Sequence, residues 1–253
     1  MSFTENRLEL IRDLLRQKQR VLVKDLVEQL GVSQESIRRD LRELETEGFA
    51  RRVYGGAVLD RQESDQPFAD RLRVGAREKA RIGEAAAKLV ADGMKIFVDE
   101  GTTALACLKY LESRKDLTIV THSLAVAAHF YYLSTPSVRV LGGRLRADYQ
   151  ATFGPETMVA IKDHYFDLAI VAISAVHAER GFMDYGEDEA IVRRVARNQA
   201  KRSVIVADSS KFGRLGSIHT FGLGDVDAVI TGGALTKDFT DRFRQLNVDI
   251  IHA

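Results

Sequence analysis

Three arginines on one short segment pose the first chemical question. In 32-VSQESIRRDLREL-44, Ile37, Leu41 and Leu44 recur at helical spacing, and Arg38, Arg39 and Arg42 fall between them. At about 100° per residue the apolar side chains lie within roughly 60° of one another, so the arginines project from the far side with Glu35 among them. A helix with a cationic outer face can grip the phosphates of a nucleic acid. It can equally be a solvated surface laced with Glu–Arg pairs.

A second group of chemically able residues stands at 99-DEGTTA-104. Gly101 lets backbone approach a ligand closely, Thr102 and Thr103 offer hydroxyls, and a following helix N-terminus favours an anion. This describes a phosphate cradle without the lysine of a nucleotide-triphosphate loop; a capped turn has the same composition. Small polar residues recur at 121-THSL-124 and at Gly142-Gly143, which favours the ligand reading. His122 suits either hydrogen-bonded structure or a switch. The acids Asp184, Glu187, Asp188 and Glu189 suit sugar hydroxyls or, equally, the charged start of the next helix.

The elements that must position the arginines can be read from periodicity. Leu8, Ile11, Leu14 and Leu15 predict a helix over 5–17, and Val23, Leu26, Val27 and Leu30 predict another over 23–30. Gly31 suits a left-handed helix end, and Ser33 is a favoured N-cap for the arginine-bearing helix. Two helices joined by a short Gly-containing turn make a helix-turn-helix, whose second helix enters the DNA major groove by its N-terminal residues. Those are Ser33, Gln34, Glu35 and Ser36, then Arg38, Arg39 and Arg42. Gln reads adenine, Arg reads guanine, Glu accepts from cytosine, and spare arginines hold phosphates. The segment 48-GFARRVYGGAV-58 predicts a hairpin wing carrying Arg51, Arg52 and Tyr54 beside a Gly55-Gly56 turn. Helix, glycine turn, capped basic helix and basic wing in that order predict DNA binding.

After a polar stretch at 59–75 containing Pro67, read as a linker whose Phe68 and Leu72 dock on one of the domains, strands and helices alternate. Apolar runs at 94–99, 117–122, 137–143, 167–176, 203–208, 228–233 and 248–253 are separated by helical stretches such as 76–92, 123–133, 187–200 and 236–246. Nearly all-apolar strands alternating with helices predict a Rossmann-like, mostly parallel sheet covered on both faces, with ligands bound beyond the carboxyl ends of its strands. The expected organisation is a winged helix-turn-helix over 1–58, a linker over 59–75 and an α/β domain over 76–253.

The totals fit this division. The chain has 253 residues, 45% hydrophobic, with 37 Lys plus Arg against 36 Asp plus Glu. A formal charge of +1 excludes a grossly basic nucleic-acid coat but not a local basic face. The single Cys107 excludes an internal disulfide and fits a reducing compartment. No apolar run is long enough for a membrane span, and the start lacks the solid apolar stretch of a signal peptide, so the expected location is the cytoplasm.

The run 32-VSQESIRRDLRELETEGFARRVYGGA-57 resembles the N-terminal signature of the DeoR family of bacterial transcriptional regulators, whose core reads V-S-x-x-T-I-R-R-D-L before an R-x-x-G-G-A wing. Ser36 stands where threonine is usual and Tyr54 where histidine is common. The resemblance continues through 99-DEGTT-103, 121-THS-123, 142-GG-143 and 208-DSSKFG-213, similar to the family's D-x-G-T-T, T-N-S, G-G and D-x-S-K-F landmarks. It implies a C-terminal sensor domain similar to ribose-5-phosphate isomerase and glucosamine-6-phosphate deaminase. It also implies a phosphorylated sugar or polyol effector, with Asp99, Gly101, Thr102 and Thr103 near the phosphate. Thr121 and Ser123 would stand on the next loop and Gly143 on the third, with Lys211 as a cation. Glu100 holds a position where serine is common, and His122 replaces the usual asparagine. A carboxylate facing a phosphate is unfavourable, so Glu100 is expected to point outward.

The resulting expectation is a repressor of carbohydrate or polyol catabolism genes that binds double-stranded operator DNA under effector control. Half-sites call for a homodimer or homotetramer; no cofactor, metal or catalytic residue is expected. The alternative is a sugar-phosphate isomerase or deaminase fused to a DNA-binding domain. That chemistry needs a general base beside the substrate's C1–C2 bond. The isomerases carry an acidic loop where this chain has 172-AISAVHA-178, leaving His177 or the acids at 184–189 as substitutes. A protein-binding winged helix would leave Arg38, Arg39 and Arg42 unexplained.

Overall fold

Leu8, Ile11, Leu15, Leu26, Ile37, Leu41 and Leu44 are the apolar positions of three helical repeats, and all are buried against one another. The computed structural model describes residues 3–18, 20–46, 50–59 and 68–253. It divides into two compact units, Met1–Asp65 and Gln66–Ala253. In the first, α1 (Phe3–Lys18) leads through β1 (Arg20–Leu22) to α2 (Val23–Leu30) and α3 (Gln34–Thr46). Gly31 ends α2 in the left-handed conformation, its amide bonded to the Val27 carbonyl at 2.9 Å. Ser33 caps α3 as expected, its Oγ accepting from the Ser36 amide at 3.2 Å. Arg7 on α1 reaches the buried Asp40 of α3 with Nε and Nη2 at 2.6 and 2.9 Å, which fixes the angle between those helices.

The wing is a hairpin of β2 (Ala50–Val53) and β3 (Gly56–Leu59). Its two turn residues are Tyr54 and Gly55 rather than the expected Gly55 and Gly56, because Gly56 already pairs with Val53. Sequence reading also missed β1, which pairs with β3 and makes the wing three-stranded; three residues are too few for a legible period. The expected wing positions Gly48 and Phe49 and the linker positions 60–67 lie outside the described residues. The rest of the expected linker holds a short helix, α4 (Phe68–Arg73), with Phe68 buried and Leu72 exposed.

The second unit follows with α5 (Ala76–Ala87), β4 (Lys95–Val98), α6 (Thr102–Leu105), β5 (Thr118–Thr121), α7 (Leu124–Phe130) and β6 (Ser137–Val140). A small hairpin, β7 (Arg144–Arg146) and β8 (Ala151–Phe153), precedes α8 (Pro155–Lys162) and β9 (Leu168–Ala172). Then come β10 (Ala175–His177), β11 (Gly181–Asp184), α9 (Glu187–Asn198), β12 (Ser203–Val206) and β13 (Ile218–Phe221). The unit closes with β14 (Ala228–Thr231), α10 (Lys237–Gln245) and β15 (Asp249–His252).

Each of the seven predicted apolar runs supplies one strand of a parallel sheet ordered β15-β14-β12-β9-β4-β5-β6. Strand period two divides its side chains between two cores. Ile96, Val98, Ile119, Ile170, Val204 and Ile230 pack on the α5 side. Phe97, Val120, Val171, Ile205 and Val229 pack on the other, against Val192 of α9 and Phe243 of α10. The order reverses between β4 and β9, the position at which sheets of this kind open a crevice at their carboxyl ends. The strands β10, β11 and β13 form a separate antiparallel sheet.

Candidate nucleic-acid interface and ligand crevice

A groove of about 780 Å³ runs between the start of α3 and the wing. Gln34, Arg38, Arg52 and Tyr54 line it, joined by Arg20 and Lys24, which sequence reading did not select. Four cations therefore face one concave surface beside an amide able to read adenine. Tyr54 is fully exposed at the wing tip. Arg51 and Arg52 are neighbours on β2, so they project to opposite faces; Arg52 lines the groove, where its Nε meets Glu45 Oε2 at 2.6 Å. Glu35, Arg39, Arg42 and Arg51 are exposed outside the groove lining. The hydroxyls of Ser33 and Ser36 lie 3.0 Å apart. The expected readers thus split into a groove set and an outer set.

At the reversal point of the large sheet, Asp99 and Glu100 follow β4. Gly101 is required there, because a Cβ on it would stand 2.1 Å from that of Ala172 at the end of β9. Thr102 opens α6, which has only one turn, so a helix dipole contributes little to holding an anion. A buried cation is present instead: Lys79 of α5 donates to Thr102 Oγ1 at 2.9 Å and to the Arg71 carbonyl at 2.7 Å. Among the described residues no carboxylate is in ion-pair range of Lys79, and burial, together with the nearby Arg71, lowers its pKa. Lys211, also buried, has its pKa brought down to about 7 by burial and by Arg214. Thr103 is buried in α6.

The other expected crevice residues carry internal bonds. Thr121 donates to the Val98 carbonyl at 2.7 Å and accepts from the Ser123 amide at 3.0 Å. Ser123 caps α7, accepting from the Val126 amide. A Cβ on Gly143 would meet Thr157 Oγ1 at 2.2 Å, so that loop is fixed by the bond from Thr157 to the Gly142 carbonyl at 2.6 Å.

Glu100 corrects the sequence reading. It is 1% exposed and faces inward: Oε2 is 2.9 Å from His122 Nε2, and Oε1 accepts from Arg193 Nη2 at 2.8 Å. Asp99 Oδ2 accepts from Arg193 Nε at 2.9 Å and from the Ala172 amide at 3.0 Å. Arg193 Nη1 also meets Asp184, whose other oxygen accepts from Thr220 at 2.7 Å. One guanidinium on α9 thus ties the ends of β4 and β11. An inward carboxylate is tolerable because these cations neutralise it.

The pKa directions follow. Burial opposes the charged imidazole, but its bonds to Asp99 and Glu100 outweigh that and hold His122 up at about 10. Burial and the Asp99 charge raise Glu100 to about 7 against the pull of Arg193. Burial would lift Asp99 too, but Arg193 and its hydrogen bonds hold it well below the carboxylate range. Asp99, Glu100 and His122 bring ligand atoms within 4.8 Å of one another, a donor set of metal-binding type. Here the Arg193 guanidinium supplies the compensating charge.

The acids at 184–189 part company. Asp184 sits in the Arg193 network, Asp188 pairs with Arg144, Glu187 is exposed, and Glu189 is buried with one oxygen lacking a hydrogen-bond partner. Sequence reading missed Arg193 because nothing in 187-EDEAIVRRVARN-198 separates it from its exposed neighbour Arg194. It missed Lys79 for the same reason, within 76-AREKAR-81.

Residues 7–63 match the DeoR-like helix-turn-helix domain, and residues 75–233 match the DeoR C terminal sensor domain. The chain belongs to the DeoR family. It is 29% identical to the HTH-type transcriptional repressor GlcR of Bacillus subtilis, over 98% of this chain and 96% of that one. It is 31% identical to the glycerol-3-phosphate regulon repressor of Escherichia coli K12, over 94% and 96% of the two chains. A ribose 5-phosphate isomerase A of Methanocaldococcus jannaschii overlaps 53% of each chain at 19% identity and a TM-score of 0.38, too little to argue from. As a DeoR-family member with both domains, the chain is a DNA-binding transcriptional regulator rather than an enzyme. The groove of the first unit lies within the DeoR helix-turn-helix match, and the D-x-G-T-T loop within the sensor match. Helix α4 falls between the two. No helix among the described residues is long and apolar enough to cross a membrane.

Proposed function

We propose that the chain is a cytoplasmic repressor of carbohydrate or polyol catabolism genes, that residues 1–58 read its operator, and that residues 76–253 bind a phosphorylated sugar or polyol controlling that affinity. The observation that carries the effector reading is Lys79 Nζ, buried beside Thr102 Oγ1 at the switch point with no carboxylate in ion-pair range among the described residues. A phosphate oxygen would give Lys79 an anionic acceptor in place of two neutral ones, adding the attraction of opposite charges to its hydrogen bonds. Lys211, buried within 208-DSSKFG-213, is the second cation of the proposed site. The glycerol-3-phosphate regulon repressor among the relatives supports this ligand class.

For the operator, Gln34 and Arg38 read base edges, and Arg20, Lys24 and Arg52 hold phosphates along the groove. Paired half-sites make the working form a homodimer or homotetramer. The test is fluorescence anisotropy on DNA from the gene's own upstream region at fixed salt, with and without a panel of sugar and polyol phosphates. A compound that shifts specific but not random-DNA binding supports both halves. Specific binding that no compound shifts removes the phosphate reading, and no preference over random DNA removes the operator reading.

A further inference from the structure

Helix α4 occupies an unusual position. It is the first described element after the stretch joining the two units in sequence, and it lies outside both family matches. Yet it is bonded directly to the crevice. The Arg71 carbonyl accepts from Lys79 Nζ at 2.7 Å and from Thr102 Oγ1 at 3.4 Å, so the two donors assigned to the phosphate are already engaged by α4. The helix is seated by Phe68, which is buried, and by the Arg71 guanidinium, which stacks 4.9 Å from the Tyr149 ring centre and donates to the Asp148 carbonyl at 2.9 Å. Its seat is imperfect: Arg71 Nε is buried with no hydrogen-bond partner.

We propose that α4 is the moving part of the sensor: a phosphate arriving at Lys79 and Thr102 takes the two donors that hold the Arg71 carbonyl and frees the helix. This inference rests on the crevice being a phosphate site. A dianion is the stronger acceptor for an ammonium. Once displaced, a buried carbonyl without a donor is unfavourable, whereas water satisfies it if α4 lifts. The seated and lifted positions form a two-state element, and the ligand biases it because it binds well only when the donors are released. Occupancy of the crevice is thereby converted into a change at the end of the segment that leads to the reading head.

Hydrogen–deuterium exchange on the full chain tests this, with glycerol 3-phosphate, glucose 6-phosphate and inorganic phosphate as probes. In Lys79→Met without any probe, amides 72–74 should exchange about tenfold faster or more, with β4 and β9 still protected. An active probe should slow exchange at 101–105 and accelerate it at 72–74 in the unaltered protein. Phe68→Ala, which leaves both donors in place, should accelerate 72–74 and tighten probe binding several-fold, because the competing seat is weakened. Unchanged exchange at 72–74 in Lys79→Met, or unchanged probe affinity in Phe68→Ala, overturns the inference and leaves the phosphate site standing. No response of 101–105 to any probe overturns the phosphate site itself, and the competition falls with it.

Discussion

Nε2 of His122 lies 2.9 Å from Oε2 of Glu100, and these are the two positions at which the family resemblance implies asparagine and serine instead. The departures answer each other. The Glu100 carboxylate is matched by an imidazole just past the next strand, stacked on Phe97 at 5.9 Å and set edge-to-face with Phe153 at 5.0 Å. Restoring either family residue alone strands the other partner. Glu100→Ser and His122→Asn should each cost about 3–5 kcal/mol, the usual loss when one member of a buried pair is removed. The double variant should cost less than their sum, with a coupling of about 1–3 kcal/mol in urea denaturation. Additive losses would mean that the two side chains act independently.

The same pair sets a pH dependence. His122 is raised from 6.5 to about 10 on folding, so its contribution is complete below pH 6.5 and is lost as pH rises through 10. Glu100, raised from 4.5 to about 7, contributes below pH 4.5 and loses that by pH 7. Both slopes run downward with rising pH. Asp99, depressed from 3.8, acts only in acid and does not enter this window. Lys211, lowered from 10.5 to about 7 by burial, gives the opposite slope over the same window, so the imidazole shows in the difference. Between pH 7 and pH 10 the urea midpoint of the unaltered chain should fall relative to that of the Glu100→Ser/His122→Asn variant. Equal slopes in the two proteins would show that the imidazole is not held as a cation.

Much of this architecture is legible in the chain. Each apolar run of the large domain became a sheet strand because parallel strands covered on both faces need only be apolar, a demand visible in any short window. The capped, arginine-bearing helix was readable because its period and its Ser33 cap are local. What escaped depends on distance in sequence. Arg193 joins Asp99 across 94 positions, Lys79 joins Thr102 across 23, and Arg71 joins Asp148 across 77. No local pattern marks which surface-type side chain will be drawn inside. Glu100 faces inward, against expectation, for the same reason: Arg193 and His122, which meet its charge, both arrive from other elements.

The division of the arginines on α3 makes a prediction for DNA. Arg38 lines the groove with Gln34 and the wing, whereas Arg39 does not. Arg38→Ala should cost about 1–3 kcal/mol at one base pair and relax preference there. Arg39→Ala should weaken specific and random DNA alike and reduce the salt slope by about one. Anisotropy titrations over a set of single-base operator variants at several salt concentrations separate these outcomes. The reverse pattern would place the reading face on the outer side of α3.

Thr102 offers the sharpest test of the crevice. Its hydroxyl accepts from Lys79 at 2.9 Å, and valine preserves its shape while removing the oxygen. A hydrogen bond involving a charged group contributes about 1.5–3 kcal/mol, so Thr102→Val should weaken an effector by about ten- to a hundredfold. The readout is the effector's own Kd rather than the basal operator affinity, because the buried Thr102 also donates to the Arg71 carbonyl at 3.4 Å and its loss loosens α4. Gly101→Ala is no substitute: its new Cβ would lie 2.1 Å from that of Ala172, so lost response would reflect a displaced β9 rather than a lost ligand contact. If Thr102→Val keeps full sensitivity to the compound that shifts the unaltered protein, the D-x-G-T-T loop is not where the effector binds.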